Sequence, residues 1–361
     1  MKERKNSIED IFIRFNHSSS LPSLKISRLA DTILNKLNSP QEISQIIRNA
    51  IEQRIIIPPG TDEAVDLLLK KICDYAKISD AQIQKRILEY YLEAGFDGQV
   101  THINQPQQEG KISLSFKDEQ FRLDARVSKK ECLEYTGNAG ITARVFYVDT
   151  PFVLDDVNHR RHGRFYKYNH RYNISKCLQS SGGSNISEDV IGKQKLFSVM
   201  ECINSIVPGE FKEIQFSGLG FHEQGLEHPL ELTNISAGMK LFLIIRRLLE
   251  TGEIKERDVL ILDEPEIHLH PGWQIKFAEM LVLLQKDFDL TILLTTHSPY
   301  FLHAVEVFSE KYNLTNRCNY YYLENDEDGY CQVRDVTENT DCIYQVLAKP
   351  FQILDNIRYA E

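Results

Sequence analysis

Asp258-Val-Leu-Ile-Leu-Asp-Glu-Pro-Glu-Ile-His-Leu-His-Pro271 is the stretch from which the rest of this 361-residue chain is read. Val259 to Leu262 is a short apolar run, rich in branched residues, of the kind that forms a fully buried strand. Two adjacent carboxylates, Asp263 and Glu264, follow it, and Pro265 ends the strand because it has no N–H for a sheet ladder. Adjacent acids at a strand tip repel each other, so the pattern points to a use. The chemistry that suits it is attack by water: the first acid holds Mg²⁺, and the second takes the proton of the attacking water.

Downstream, apolar residues at Phe277, Met280, Leu281 and Leu284 predict a helix from about Trp273 to Phe288. A second buried strand, Leu290 to Thr296, runs directly into His297-Ser-Pro-Tyr300. A strand, a crossover helix and a parallel strand place both strand ends on one rim of a sheet. Glu264 and His297 are therefore expected to face one pocket. Upstream lies Leu232-Thr-Asn-Ile-Ser-Ala-Gly-Met-Lys240, ahead of a helix with Leu241, Ile244, Ile245, Leu248 and Leu249 on its apolar side and Gly252 at its end. Ser236 stands where an N-cap belongs. The turn Ser236-Ala237-Gly238 would offer free backbone N–H groups and the positive end of a helix dipole to a phosphate.

The three motifs, in this order and spacing, resemble the second lobe of ABC-type ATPases of the SMC/RecF/OLD-like branch, stand-alone AAA family ATP-binding proteins. Leu260-Ile-Leu-Asp-Glu-Pro265 is similar to their Walker B segment, Ile235 to Lys240 to their signature, and His297 to their switch histidine. Ala237 replaces the first signature glycine, and Lys240 follows as in the SMC branch. The resemblance implies an α/β fold: a P-loop NTPase-like ABC ATPase head with a mainly parallel sheet and helical insertions. It implies ATP and Mg²⁺ as cofactors, Asp263 for Mg²⁺ and Glu264 as base. His297 would contact the γ-phosphate, and Ser236, Ala237, Gly238 and Lys240 would contact a phosphate held by a second subunit. A homodimer closed through the nucleotide face, a partner protein such as a nuclease or toxin, DNA, and a phage-defence setting are implied in the same way.

One element of that family is not found. A Walker A loop needs G-x-x-x-x-G-K-[ST] to cradle phosphates with backbone N–H groups and a lysine. No stretch of the 361 residues matches it: Gly192-Lys193 is followed by Gln194, and Pro59-Gly60-Thr61 has no lysine in register. The chain reads as though it started downstream of that loop. Beside the ATPase reading stands a truncated or pseudo-ATPase, a non-catalytic interaction and dimerisation module.

Composition sets outer bounds. Apolar content of 42% and charged content of 26% describe a globular protein. No apolar run is long enough to span a bilayer, and the start, Met1-Lys-Glu-Arg-Lys-Asn-Ser, is polar, so a cytoplasmic protein without a membrane partner is expected. The seven cysteines are scattered without a C-x-x-C pair and read as free thiols. A net charge of −10 argues against a surface that is basic throughout. It leaves room for one local groove. Asn158 to Tyr172 supplies the candidate, with Arg160, Arg161, Arg164, Lys167 and Arg171 interleaved with Phe165, Tyr166, Tyr168 and Tyr172. Basic and aromatic residues together suit phosphate contact and base stacking, whereas the plain alternative is a solvated connector.

Four stretches follow. Residues 1–110 form a helical region, with helices over Ser27–Leu37, Pro40–Arg54, Thr61–Lys77 and Asp80–Ala94, the last closed by Gly95. Residues 111–157 are β-rich: a hairpin over 111–127 and a strand over 143–148 that ends in Asp149, a weak site candidate. Residues 158–207 carry the basic-aromatic segment and a helix from about Glu188. Residues 208–361 hold the motifs, then a hairpin over 320–333 and a short terminal helix. His268 and His270 invite a zinc reading, but no third soft ligand lies near, and structural or subunit-contact roles fit them better.

Overall fold

A computed structural model describes residues 23–36, 40–53, 79–96, 107–115, 122–128, 131–137, 143–158, 169–180, 190–326 and 330–359, with isolated positions between them. The chain forms two compact units: residues 1–89 with 101–138, and residues 90–100 with 139–361. The β-rich stretch expected over 111–157 is divided between them.

In the first unit, α1 (Ser23–Leu34) and α2 (Pro40–Glu52) bury one stripe each, Leu29, Ala30 and Ile33 against Ile43, Ile47 and Ala50. The helix expected at Thr61–Lys77 falls largely outside the described residues. The next helix, α3 (Asp80–Phe96), is divided between the two units after Glu89; it does not stop at Gly95 but carries the glycine within its last turn and runs on to Phe96. β1 (Gly110–Ser115), β2 (Arg122–Ser128) and β3 (Glu131–Gly137) form an antiparallel meander with Ile112 opposite Ala125 and Ala125 opposite Tyr135. The hairpin was legible; β3 was not, because Glu131-Cys-Leu-Glu-Tyr breaks the apolar alternation.

The second unit is built on a parallel sheet, β4 (Val145–Val148), β8 (Val259–Leu262) and β9 (Thr291–Leu294), in the order β4-β8-β9. The strands pair in register, Val148 beside Leu262 and Leu262 beside Leu294. On one face Phe146, Val148, Leu260 and Leu262 are buried in the main core. Two helices contribute to that core. α6 (Ala237–Glu250) begins at the Ser236 cap, whose hydroxyl accepts from the Met239 N–H at 3.4 Å. α7 (Pro271–Phe288) crosses over between β8 and β9. Phe242 and Phe277 meet edge-on at 5.2 Å, and Phe277 lies 6.2 Å from Phe301 of α8 (Pro299–Lys311). The strands start on a buried anchor: the Asp258 carboxylate accepts from the N–H groups of Arg144 and Lys255, each at 2.8 Å. Gly252 (φ 65°) and Asp289 (φ 52°) take the left-handed conformation that stops α6 and α7.

Helix α4 (His170–Leu178), helix α5 (Val190–Asn204) and an antiparallel sheet of β5 (Gly209–Ile214), β6 (Gly218–Glu223) and β7 (Leu230–Glu231) complete the body of this unit. A hairpin, β10 (Tyr321–Asn325) and β11 (Cys331–Asp335), and helix α9 (Asp341–Tyr359) follow α8. The hairpin lies where it was expected. The terminal helix is 19 residues long, not short, and continues through Pro350.

Phe277 is fully buried among Phe242, Phe301 and the sheet. Phe277→Ala should lower stability by about 3–5 kcal/mol, measured by equilibrium denaturant unfolding.

Candidate functional site

Because the three parallel strands run in register, their C-terminal ends emerge on one rim. Asp149 follows β4, Asp263 and Glu264 follow β8, and Thr295, Thr296 and His297 follow β9. The expected meeting of Glu264 with His297 takes place: His297 Nε2 lies 3.0 Å from Glu264 Oε1. Glu264 has φ 43° and ψ 54°, left-handed for a residue with a Cβ, and Pro265 follows at once. That strained turn carries the second carboxylate of the pair away from the strand axis.

Two threonines organise the pair. The Thr295 hydroxyl donates to Asp263 Oδ1 at 2.6 Å and accepts from the Glu264 N–H at 2.9 Å. Glu266, only 5% exposed, accepts from the Thr296 hydroxyl and from the His297 N–H at 2.9 Å. The backbone that carries His297 is thus tied to the loop that carries Glu264. Ser298 caps α8 by accepting from the Phe301 N–H at 3.2 Å and donates to Gln274 Oε1 at 2.6 Å. The Gln274 amide donates back to the Leu269 carbonyl at 3.1 Å. Spacing alone marks none of Thr295, Thr296, Glu266 or Gln274, since their roles depend on register between strands far apart in sequence.

The helix that Ser236 caps meets the same loop from the other side. A Cβ on Gly238 would stand 2.8 Å from the His268 carbonyl oxygen and 3.4 Å from Trp273, so that position needs glycine for close approach. Ser236 is exposed and Ala237 half-buried. Lys240 is turned inward, against its expected place among the phosphate contacts. It is 2% exposed, its ammonium lies 2.7 Å from Asp155 and 5.3 Å above the Phe152 ring, and it donates to the Thr233 carbonyl at 3.3 Å. Four residues past the cap, Lys240 falls on the buried side of α6, and a buried ammonium has to be paired.

Asp149 is held in a comparable clamp. Arg171 reaches it with two nitrogens, the closer at 2.7 Å, and His170 Nε2 lies 3.1 Å away. Burial by itself would raise the Asp149 carboxyl, but the hydrogen bonds from His170 and Arg171 outweigh it and hold the group well below the usual carboxylate range. Tyr147, its ring tilted against that of His170 at 4.6 Å, is pushed up by burial and then by the Asp263 charge. Arg171 is therefore committed to Asp149, while Arg160, Arg161, Arg164 and Lys167 lie outside the described residues. His270 caps α7, accepting from the Gly272 N–H at 3.2 Å, and His268 packs edge-on to Phe152. Among the described residues no group of three metal-ligating side chains occurs. Asp263 with its threonine partner nonetheless fits Mg²⁺, which takes one or two carboxylates and completes its shell with water and phosphate oxygens.

A family model described as "AAA domain, putative AbiEii toxin, Type IV TA system" matches residues 62–303. The Retron Ec83 probable ATPase of Escherichia coli is 28% identical over 134 residues, which are 32% of this chain and 23% of that protein. The phosphate import ATP-binding protein PstB of Pyrococcus furiosus is 38% identical over 66 residues, 18% of this chain and 24% of its own. The chain thus spans about a quarter of the length of the curated relatives it matches. The SMC head domain from Thermotoga maritima superposes loosely, with a TM-score of 0.33 at 14% identity, over 71% of this chain and 85% of that one. Among the described residues no helix is long and apolar enough to cross a membrane.

The Asp149 clamp has a sign. Its ion pair with Arg171 and its contact with His170 stabilise the fold above the ordinary carboxylate range, and that contribution is lost as pH falls through the depressed native value. Asp149→Asn should therefore be less stable than the parent near pH 7, with the difference shrinking below about pH 4. Urea midpoints measured across acid pH check this; a gap that stays constant would show that the clamp is not the source.

Proposed function

The chain belongs to this AAA-domain family, and on that premise we propose that it binds and hydrolyses ATP with Mg²⁺, working through nucleotide-dependent dimerisation of its second unit. The observation that carries the reading is the rim itself: a strand-end carboxylate pair, Asp263 and Glu264, with His297 at 3.0 Å from the second acid. In this reading Asp263, steadied by Thr295, holds Mg²⁺. The bound ion would neutralise charge on the phosphate oxygens. Glu264 accepts the proton of the attacking water, and His297 links that carboxylate to the terminal phosphate. Glu266 keeps His297 in place through its backbone N–H.

The exposed Ser236 hydroxyl and the first turn of α6 suit a phosphate presented by a second subunit, by dipole and free N–H groups. Lys240 leaves that set, serving instead to lock α6 onto Asp155. The family's description as a toxin and the likeness to a retron's probable ATPase support a phage-defence setting, with a nuclease or toxin as partner. A cytoplasmic location accords with the free thiols. The second reading is the non-catalytic dimerisation module. It is favoured by one observation, that no Walker A sequence occurs in the 361 residues.

Calorimetry with Mg·ATP and sedimentation of the same samples separate the two. Glu264→Gln should lower turnover by about 100-fold or more while retaining nucleotide, and should shift the protein to an ATP-dependent dimer. Absence of ATP binding in both parent and variant would favour the module. DNA contact is proposed for the basic-aromatic segment. Replacing Arg160, Arg161 and Arg164 by Ala should weaken binding and flatten the dependence of affinity on salt; an unchanged salt slope would remove DNA from the account.

A further inference from the structure

Tyr147 and the Asp149 clamp take no part in the chemistry assigned to the rim, yet they stand on the same face of the sheet as Asp263. Phe146, Val148, Leu260 and Leu262 point into the main core, so the residues alternating with them on β4 and β8 point the other way. The ladder continues past the strand ends. The Asp263 N–H donates to the Val148 carbonyl at 3.2 Å, and the Thr295 N–H to the Leu262 carbonyl at 3.1 Å. Tyr147, Asp149, Asp263 and Thr295 therefore share one face, with Asp149 on one side of Asp263 and Thr295 on the other. Neighbouring strands lie about 4.8 Å apart, within reach of a side-chain hydroxyl.

A second carboxylate at that distance would oppose the charge of Asp263. Asp149 is neutralised instead by Arg171 at 2.7 Å, with His170 at 3.1 Å. The same histidine fixes Tyr147, since the two rings lie 4.6 Å apart at 32° to each other. The tyrosine so held is half-buried and turns its hydroxyl toward the Asp263 carboxylate. A phenol can donate there, and an ionised carboxylate can only accept. Asp263, on the central strand, thus has a hydroxyl on each flank: Thr295 at 2.6 Å from the β9 side and Tyr147 from the β4 side. The acid itself is exposed, so its remaining lone pairs look outward.

We propose that Tyr147 is a positioning residue for the metal site, its hydroxyl orienting Asp263 toward a divalent cation while His170 and Asp149 hold the ring. The inference rests on the reading of Asp263 as the acid that holds Mg²⁺. Outer partners of a ligating carboxylate fix its direction, and loss of one costs about 10- to 100-fold in metal affinity. Packing makes a different demand on this position. A ring that only covers the sheet works as well without its hydroxyl, whereas orientation of the acid depends on the hydroxyl alone.

Tyr147→Phe separates the two, because it keeps the ring and its contact with His170. The test is a Mn²⁺ titration of the full chain at fixed ATP, with protein-bound metal followed by electron paramagnetic resonance. The variant should need roughly 10-fold more Mn²⁺ for half-saturation and still reach the parent's plateau at excess metal. Its urea midpoint should match the parent's, showing an intact fold. A parent that binds Mn²⁺ beside a variant of unchanged affinity overturns the proposal and leaves the ATPase reading standing. So does a variant whose plateau falls at unchanged affinity, which is the mark of damaged molecules. A parent that takes up no Mn²⁺ with ATP defeats the proposal and the reading together.

Discussion

Three parallel strands held in register must end on the same side of their sheet, and the candidate site depends on that constraint. Val148, Leu262 and Leu294 are the last paired positions of β4, β8 and β9. A slip of one residue in β9 would turn Thr295 away from Asp263 and move His297 to the opposite face. The register is fixed from below by apolar side chains, Phe146, Leu260 and Leu262 among them, packed against α6 and α7. It is fixed at the strand starts by the buried Asp258 carboxylate, which accepts from Arg144 and Lys255. Core packing thus sets the rim geometry, because interiors at crystal-like density resist small shifts.

On the rim, backbone and side chain divide the work. Asp263 and Glu264 are neighbours in sequence, and along a continued strand their side chains would point to opposite faces. The left-handed turn at Glu264 breaks that alternation, and Thr295 bridges the two residues by donating to the carboxylate of one and accepting from the N–H of the other. Glu266 does for His297 what Thr295 does for the acids. Its buried carboxylate fixes the histidine's backbone, so the imidazole, 81% exposed at its side chain, is mobile only about its own torsions. Such a group can leave Glu264 for another acceptor without moving the strand.

How much of this was legible follows from which signals are local. The strand run Val259–Leu262, its paired acids and the βαβ spacing to His297 lie within forty residues and need no register to be read. The Ser236 cap was visible for the same reason. Thr295, Thr296 and Gln274 carry no such mark, since a hydroxyl or amide gains its role from the partner that folding brings to it. Lys240 was misread because the family signature suggests an outward role, whereas the buried stripe of α6, including Gly238, Leu241 and Ile244, turns position 240 inward. Strands β5 to β7 were missed because Gly209, Gly218 and Gly220 interrupt the apolar alternation. Pro350 hid the length of α9, as a proline inside a helical pattern ordinarily marks its end.

The inward turn of Lys240 bears on what α6 can offer a phosphate. With its ammonium committed to Asp155, the start of α6 presents no free cation, only the Ser236 hydroxyl and the N–H groups of its first turn. Attraction there comes from the dipole and falls off within a turn, so it acts on an anion brought close and does little to capture one from solution. A surface of that kind discriminates by position. It is suited to closing on a phosphate already held elsewhere, and the close approach of Gly238 to the His268 carbonyl couples it to the loop behind Glu264. A side chain at position 238 would meet the His268 carbonyl, so only glycine lets α6 lie this close to that loop.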